Sequence, residues 1–243
     1  MRTEIQTRDG KCPTYVYKPE GDGAWPAVLV FMDGIGIRPA VFELGERIAK
    51  MGYFVAVPDL FYRAGPYEPM NARTVFSDPD QLKILREKFF AVAQSALLMS
   101  DVPYFVDFIR AQKEAKPGKI GMTGYCMGGL MSMLAAGTHP DSFAAAAAFH
   151  PSRLATDAAD SPHLLAPKMK AEIYVGGATE DQGFPPEMRK RFDDALTEAH
   201  VKHEVLEYPA KHGWVFSDTP VYDKTQSDRH YEALKALLSR TLS

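Results

Sequence analysis

Short, unbroken apolar runs alternate along this chain with longer stretches in which apolar residues recur every three or four positions. The runs Ala27-Val28-Leu29-Val30-Phe31, Tyr53-Phe54-Val55-Ala56-Val57 and Phe143 to Phe149 contain no charged residue, and Ala171 to Val175 contains one, Glu172. Runs of that length are the form taken by strands buried on both faces, as in a parallel sheet covered by helices. Further strands are predicted at Lys119-Ile120-Gly121-Met122-Thr123 and Glu204 to Tyr208. Helical spacing runs from Val41 to Met51, where Gly52 ends it, and from Asp80 to Lys113, with an interruption predicted near Pro103. It returns at Leu130 to Ala136, Pro186 to Ala199, and Ser227 to about Leu242. The start of the chain differs. Residues 3–18 alternate polar and apolar around Asp9-Gly10, a pair that tolerates positive φ, so an antiparallel hairpin is predicted there.

Strand and helix repeated this often imply an α/β fold with a mostly parallel central sheet, helices on both faces and right-handed crossovers. No repeat, low-complexity tract or linker divides the chain, so residues 1–243 read as one domain. Residues 63–80 are irregular and carry Pro66, Pro69 and Pro79, which predicts an active-site loop or small cap.

Composition narrows the function. At 243 residues and 46% hydrophobic content the chain can bury a large core. With 28 basic and 31 acidic residues the net charge is -3, so no positive field exists to hold nucleic acid or an acidic membrane surface. No apolar run reaches membrane-spanning length and no apolar leader follows Met1, so a cytoplasmic protein is expected. Cys12 and Cys126 are the two cysteines, too few for a disulfide framework and at no zinc-ligand spacing. The seven histidines are scattered, and neither a metal nor another cofactor is implied.

The candidate chemistry centres on Gly124-Tyr125-Cys126-Met127-Gly128, which lies between a predicted strand and a predicted helix. An isolated G-x-C-x-G also fits a small packing residue. The strand-to-helix context favours a nucleophile elbow, whose sharp turn exposes the sulfur and needs glycines where chains cross. A helix N-terminus beside the sulfur favours thiolate over thiol, and the Met127 amide would point into an oxyanion hole. Cys12, next to Pro13 in the hairpin, has no such context.

In this kind of fold the acid and then the histidine follow the nucleophile along the chain. His200, His203 and His230 fit surface positions, whereas His212 follows a strand and a short turn and precedes Gly213-Trp214. A base on a loop past a strand's carboxyl end can reach back over the sheet. The acid is expected after the preceding strand, where either Glu180 or Asp181 could serve, and the shorter Asp181 before Gly183 is favoured. It would orient His212 and stabilise its imidazolium.

Taken together, Asp33-Gly34-Ile35-Gly36, Pro58-Asp59-Leu60-Phe61-Tyr62-Arg63, Gly124 to Gly129, Asp181 and His212-Gly213-Trp214 resemble the dienelactone hydrolase family of α/β-hydrolases. The resemblance implies an α/β-hydrolase fold and a carboxylic ester hydrolase acting on small esters or lactones through Cys126, His212 and Asp181. It implies Gly34 as the second oxyanion donor beside Met127, and Asp33 at the place of a family glutamate that contacts and activates the resting cysteine. Family members that take dienelactone bind its carboxylate through arginines, one shortly after the catalytic histidine. Phe216 stands there here, with Arg63, Arg73 and Arg86 as the substitutes considered. The expected partner is a small-molecule ester or lactone. Two other readings stay open: hydrolysis of a thioester or carbon-halogen bond, and a non-catalytic binding protein on the same fold. Oligomeric state is not readable.

Overall fold

Residues 1–242 are described in a computed structural model. The N-terminal hairpin pairs β1 (Arg2–Thr7) with β2 (Gly10–Tyr17), and the two-residue connection is Arg8-Asp9, with Gly10 opening the second strand. Then follow β3 (Ala27–Phe31), α1 (Pro39–Lys50), β4 (Phe54–Pro58) and the irregular stretch after Arg63. Asp78 ends that stretch by accepting from the Asp80 and Gln81 amides at the start of α2 (Pro79–Ile84). The rest alternates: α3 (Ser95–Arg110), β5 (Ile120–Tyr125), α4 (Met127–Thr138), β6 (Phe143–Phe149), β7 (Glu172–Glu180), α5 (Pro186–Glu198), β8 (His203–Lys211) and α6 (Lys224–Thr241).

The described strands form one sheet in the order β1-β2-β4-β3-β5-β6-β7-β8. The hairpin and its pairing to β4 are antiparallel, and every other pairing is parallel. This is the α/β-hydrolase arrangement expected from the sequence. Glycines in β5 show how the two faces are covered: a Cβ at Gly124 would strike Ser132 of α4, and one at Gly121 would meet Leu238 of α6. Side chains alternate across a strand, so α4 and α6 lie on opposite faces. The alanines of β6 are nearly all fully buried, and they leave room for both helices to approach.

The long helix expected over 80–113 is broken, but not at Pro103. A π-helical segment, Leu85–Phe90, follows α2, and the break falls between Phe90 and Ser95. Pro103 sits inside α3. Its missing N–H frees the Met99 carbonyl, four residues earlier, and His139 Nε2 donates to that oxygen at 2.9 Å. The partner supplied from α4's end removes the main reason for a break there. No single described helix is long and apolar enough to cross a membrane; only the bent pair Pro79–Phe90 and Ser95–Arg110 approaches that length.

Candidate active site

Because β3 and β5 to β8 run parallel, their carboxyl ends lie along one edge of the sheet, and each delivers a polar residue there. Cys126, His150, Asp181 and His212 directly follow β5, β6, β7 and β8, and Asp33 follows β3 by two residues. The expected site residues are thus gathered at one edge by topology.

Cys126 is half-buried, with φ 52 and ψ -114, a left-handed conformation rare for a side-chain-bearing residue. Its amide donates to Phe149 O at 3.1 Å and its carbonyl accepts from Gly129 N at 3.0 Å, tying the turn to β6 and to α4. The glycines on either side are needed for close approach. A Cβ at Gly124 would overlap the Gly128 carbonyl, and one at Gly128 would overlap the carbonyls of Phe31 and Met32. Tyr125, fully buried, is held at 3.0 Å by His230. His230 Nδ1 donates to Ser227 O at 2.8 Å, so its Nε2 accepts from the tyrosine hydroxyl. The expected surface position of His230 is therefore corrected: the residue is completely buried and braces the elbow from α6. Burial pushes its pKa down to about 3, which keeps it neutral.

His212 Nδ1 lies 2.7 Å from Asp181 Oδ2, and Asp181 Oδ1 accepts from Gly183 N at 2.8 Å. Glu180, the other acid considered, is exposed. Burial opposes a charge on His212, but the charge of a Cys126 thiolate and hydrogen bonds to Asp181 and Cys126 outweigh it, and the pKa is pushed up to about 10. Gly34 and Met127 are neighbours: a Cβ on Gly34 would stand 3.9 Å from that of Met127. Among the described residues neither amide donates to a protein acceptor. The ring of Phe90, from the π-helical segment, would be 3.1 Å from the same added Cβ and roofs this corner.

Asp33 is placed differently from the expectation that it contacts the cysteine. Both its oxygens accept from Arg38, at 2.7 and 2.8 Å, and Oδ1 also accepts from Ile35 N at 3.0 Å. Arg38 also reaches Asp218 at 2.7 Å and lies over the Phe216 ring at 4.7 Å. Its side chain is 2% exposed. Burial disfavours the guanidinium charge, and Asp33 and Asp218 more than restore it. Sequence reasoning missed Arg38; its proximity to Asp33, five positions before it, was the available signal. The other arginines considered do not converge on Cys126. Arg63 pairs with Asp9 and Asp101 at 2.7 Å, and Arg73 and Arg86 are exposed.

His150 was also missed. It is fully buried, has φ 39, and its ring centroid is 5.1 Å from that of His212 and 5.0 Å from that of Trp214. Cys12 and Cys126 are both free thiols, and Cys12 is fully buried with Sγ 3.5 Å from Asp59 O. No group of three or more His, Cys, Asp or Glu suited to a metal occurs among the described residues.

Comparison with known proteins bears on the family and the fold. Two relatives, each named "Putative carboxymethylenebutenolidase", come from Synechocystis sp. and Methylorubrum extorquens. The first is 24% identical over 94% of this chain and 91% of its own length. The second is 28% identical over 90% and 73%. A crystal structure from Klebsiella pneumoniae, described as a "Putative Dienelactone Hydrolase", superposes with a TM-score of 0.85 at 21% identity, covering 99% of this chain and 98% of that one. The model of the dienelactone hydrolase family matches residues 12–242. The chain belongs to the dienelactone hydrolase family of carboxylic ester hydrolases.

Proposed function

We propose that the protein is a cysteine-dependent hydrolase of small esters or lactones, acting through a Cys126-His212-Asp181 triad and an acyl-enzyme. The observation that carries this reading is the 2.7 Å bond from His212 Nδ1 to Asp181, on the loop that faces the strained elbow at Cys126. That bond fixes the tautomer and turns Nε2 toward the nucleophile.

In the first step the Cys126 thiolate adds to the ester carbonyl, and the Gly34 and Met127 amides hold the resulting oxyanion. As the intermediate collapses, the C–O bond breaks and the alkoxide takes its proton from the His212 imidazolium. In the second step His212 removes a proton from water as the water attacks the thioester. The C–S bond then breaks, releasing the acid and restoring the thiolate. A thiolate also leaves readily, so substrates with a good leaving group, enol esters, aryl esters and lactones, suit this site better than amides.

Arg38 and Arg63 are already held by carboxylates, and the partly buried Phe90 places an aromatic ring beside the Gly34 corner. The preferred substrate is accordingly an uncharged ester or lactone rather than one bearing a free carboxylate. A nucleophile that must stay reduced fits work in the cytoplasm.

The test is hydrolysis of a panel of aryl esters and lactones by the wild-type protein and Cys126→Ala. Turnover that depends on Cys126 supports the reading. Turnover that survives the substitution overturns it.

A further inference from the structure

His150 combines three destabilising features in one residue. Its backbone is left-handed, at φ 39, although it is not glycine. Its side chain is fully buried, and neither ring nitrogen has a hydrogen-bond partner among the described residues. A left-handed non-glycine residue is strained, and each unsatisfied buried polar atom adds a desolvation cost. Phenylalanine would remove the unpaired nitrogens and asparagine would ease the backbone, so packing alone does not account for histidine here. Deviations of this kind concentrate at functional sites.

The position explains what the imidazole is near. Phe149, the preceding residue, accepts the Cys126 amide, and the His150 amide donates to Gly176 O at 2.8 Å, locking the backbone between β5 and β7. Arg153, three residues on, donates its amide to Gly183 O at 2.7 Å, on the loop of Asp181. The ring meets His212 edge to face, at 65° between planes, and Trp214 at 73°. The titratable and charged groups around it are Tyr125 from β5, His212 from the loop after β8, His230 from α6 and, from the loop after β3, Arg38.

We propose that His150 is a positioning residue, a buried imidazole that packs edge to face with the His212 ring to hold it against Asp181 and whose one free lone pair supports the positive charge on that ring. This rests on the Cys126-His212 reading given above. Burial, helped by repulsion from His212, His230 and Arg38, holds His150 well below the ordinary histidine range, so it meets the imidazolium as a dipole rather than as a second cation. A neutral ring carries one free lone pair, which can face a positive neighbour without itself accepting a proton.

The experiment compares the wild-type protein with His150→Phe and His150→Asn, following ester-hydrolysis pH profiles and the 15N shifts of labelled histidines. His150→Phe keeps the ring shape and loses the nitrogens. Its thermal midpoint is expected to hold or rise, while kcat falls about tenfold with KM nearly unchanged and the alkaline limb moves down by about one pH unit. An unaltered kcat and pH profile in a folded His150→Phe protein would overturn the proposal. If phenylalanine does not fold at the left-handed position, His150→Asn, which tolerates it and removes the whole ring, is expected to lower kcat with the same alkaline shift, an unaltered profile overturning the proposal, and the wild-type spectrum tests it independently. There His150 is expected to stay unprotonated from the His212 titration down through the ordinary histidine range; a His150 that protonates at the ordinary histidine value, about 6.5, overturns the proposal. Should the wild-type protein hydrolyse no ester, the functional reading fails on its own, and the His212 titration in the variants still tests the pairing.

Discussion

Arg38 grips Asp33 through both carboxylate oxygens while the same guanidinium reaches Asp218, so one buried cation ties the loop that carries Gly34 to the loop that carries His212. The proposed oxyanion donor and the proposed base are therefore held in register by an ion pair that touches neither of them.

Arg38→Met should destabilise the protein by about 3–5 kcal/mol, because it leaves the buried Asp33 charge without its cation, with the Ile35 amide on Oδ1 as the remaining donor. Urea denaturation measures this. Restoring part of the loss with Asp33→Asn in the same chain would show that the unpaired carboxylate is the cause. A loss below about 1 kcal/mol would mean that Asp33 finds water or another donor.

Tyr125→Phe should lower stability by about 1–3 kcal/mol, since it leaves the buried Nε2 of His230 without its donor. His230→Phe removes the other partner and leaves the Tyr125 hydroxyl unpaired. The double substitution should lose less than the two single losses added together, and a double-mutant cycle on denaturation free energies checks this.

Gly124→Ala should abolish the folded elbow rather than merely weaken it, because the methyl overlaps the Gly128 carbonyl, which is backbone and cannot rotate away. Soluble yield and thermal midpoint are the measurements. A variant that folds and melts like the wild type would contradict the close packing described.

The pH dependence of stability has a definite sign at His212. Its folded-state pKa is pushed up to about 10, above the ordinary histidine value, so the folded state holds this proton more tightly than the unfolded chain does. The stabilisation is fully present below about pH 6.5 and is lost as pH rises through about 10. Denaturation at several alkaline pH values should show this decline. In Cys126→Ala, which lacks the thiolate charge that favours the imidazolium, the loss should begin at lower pH.

Phe90→Ala should widen the corner beside Gly34 and Met127, where the Phe90 ring stands. Bulky acyl esters should gain on acetyl esters in kcat/KM by roughly tenfold, the scale of one or two methylenes in an apolar pocket. An unchanged ratio would place the acyl group elsewhere.

Local features of the sequence predicted much of this. Buried strands such as Ala27–Phe31 and Phe143–Phe149 have no polar face to interrupt them, and the spacing of Gly124 and Gly128 reflects a steric demand within five residues. What escaped depends on partners remote in sequence. His230 looked like a surface residue because it follows polar neighbours, and only the fold brings it to Tyr125. Pro103 looked like a helix break because the donor that satisfies Met99 comes from His139. Arg38 stands close enough to Asp33 in sequence to suggest a pair, but its second hold, on Asp218, lies 180 positions away. His150 carries no motif at all; its character comes from burial and an unusual backbone.

The left-handed turn at Cys126 is imposed by Gly124, Gly128 and the braced Tyr125, none of which involves the sulfur atom. The position thus behaves as a seat whose occupant can be exchanged. Oxygen in place of sulfur would inherit the same geometry and the same histidine, while exchanging the proposed thioester intermediate for an ester that water opens by a different balance of leaving groups. In this architecture a change of the proposed nucleophile to serine is a change of one atom, and the contacts that shape the turn do not depend on which atom it is.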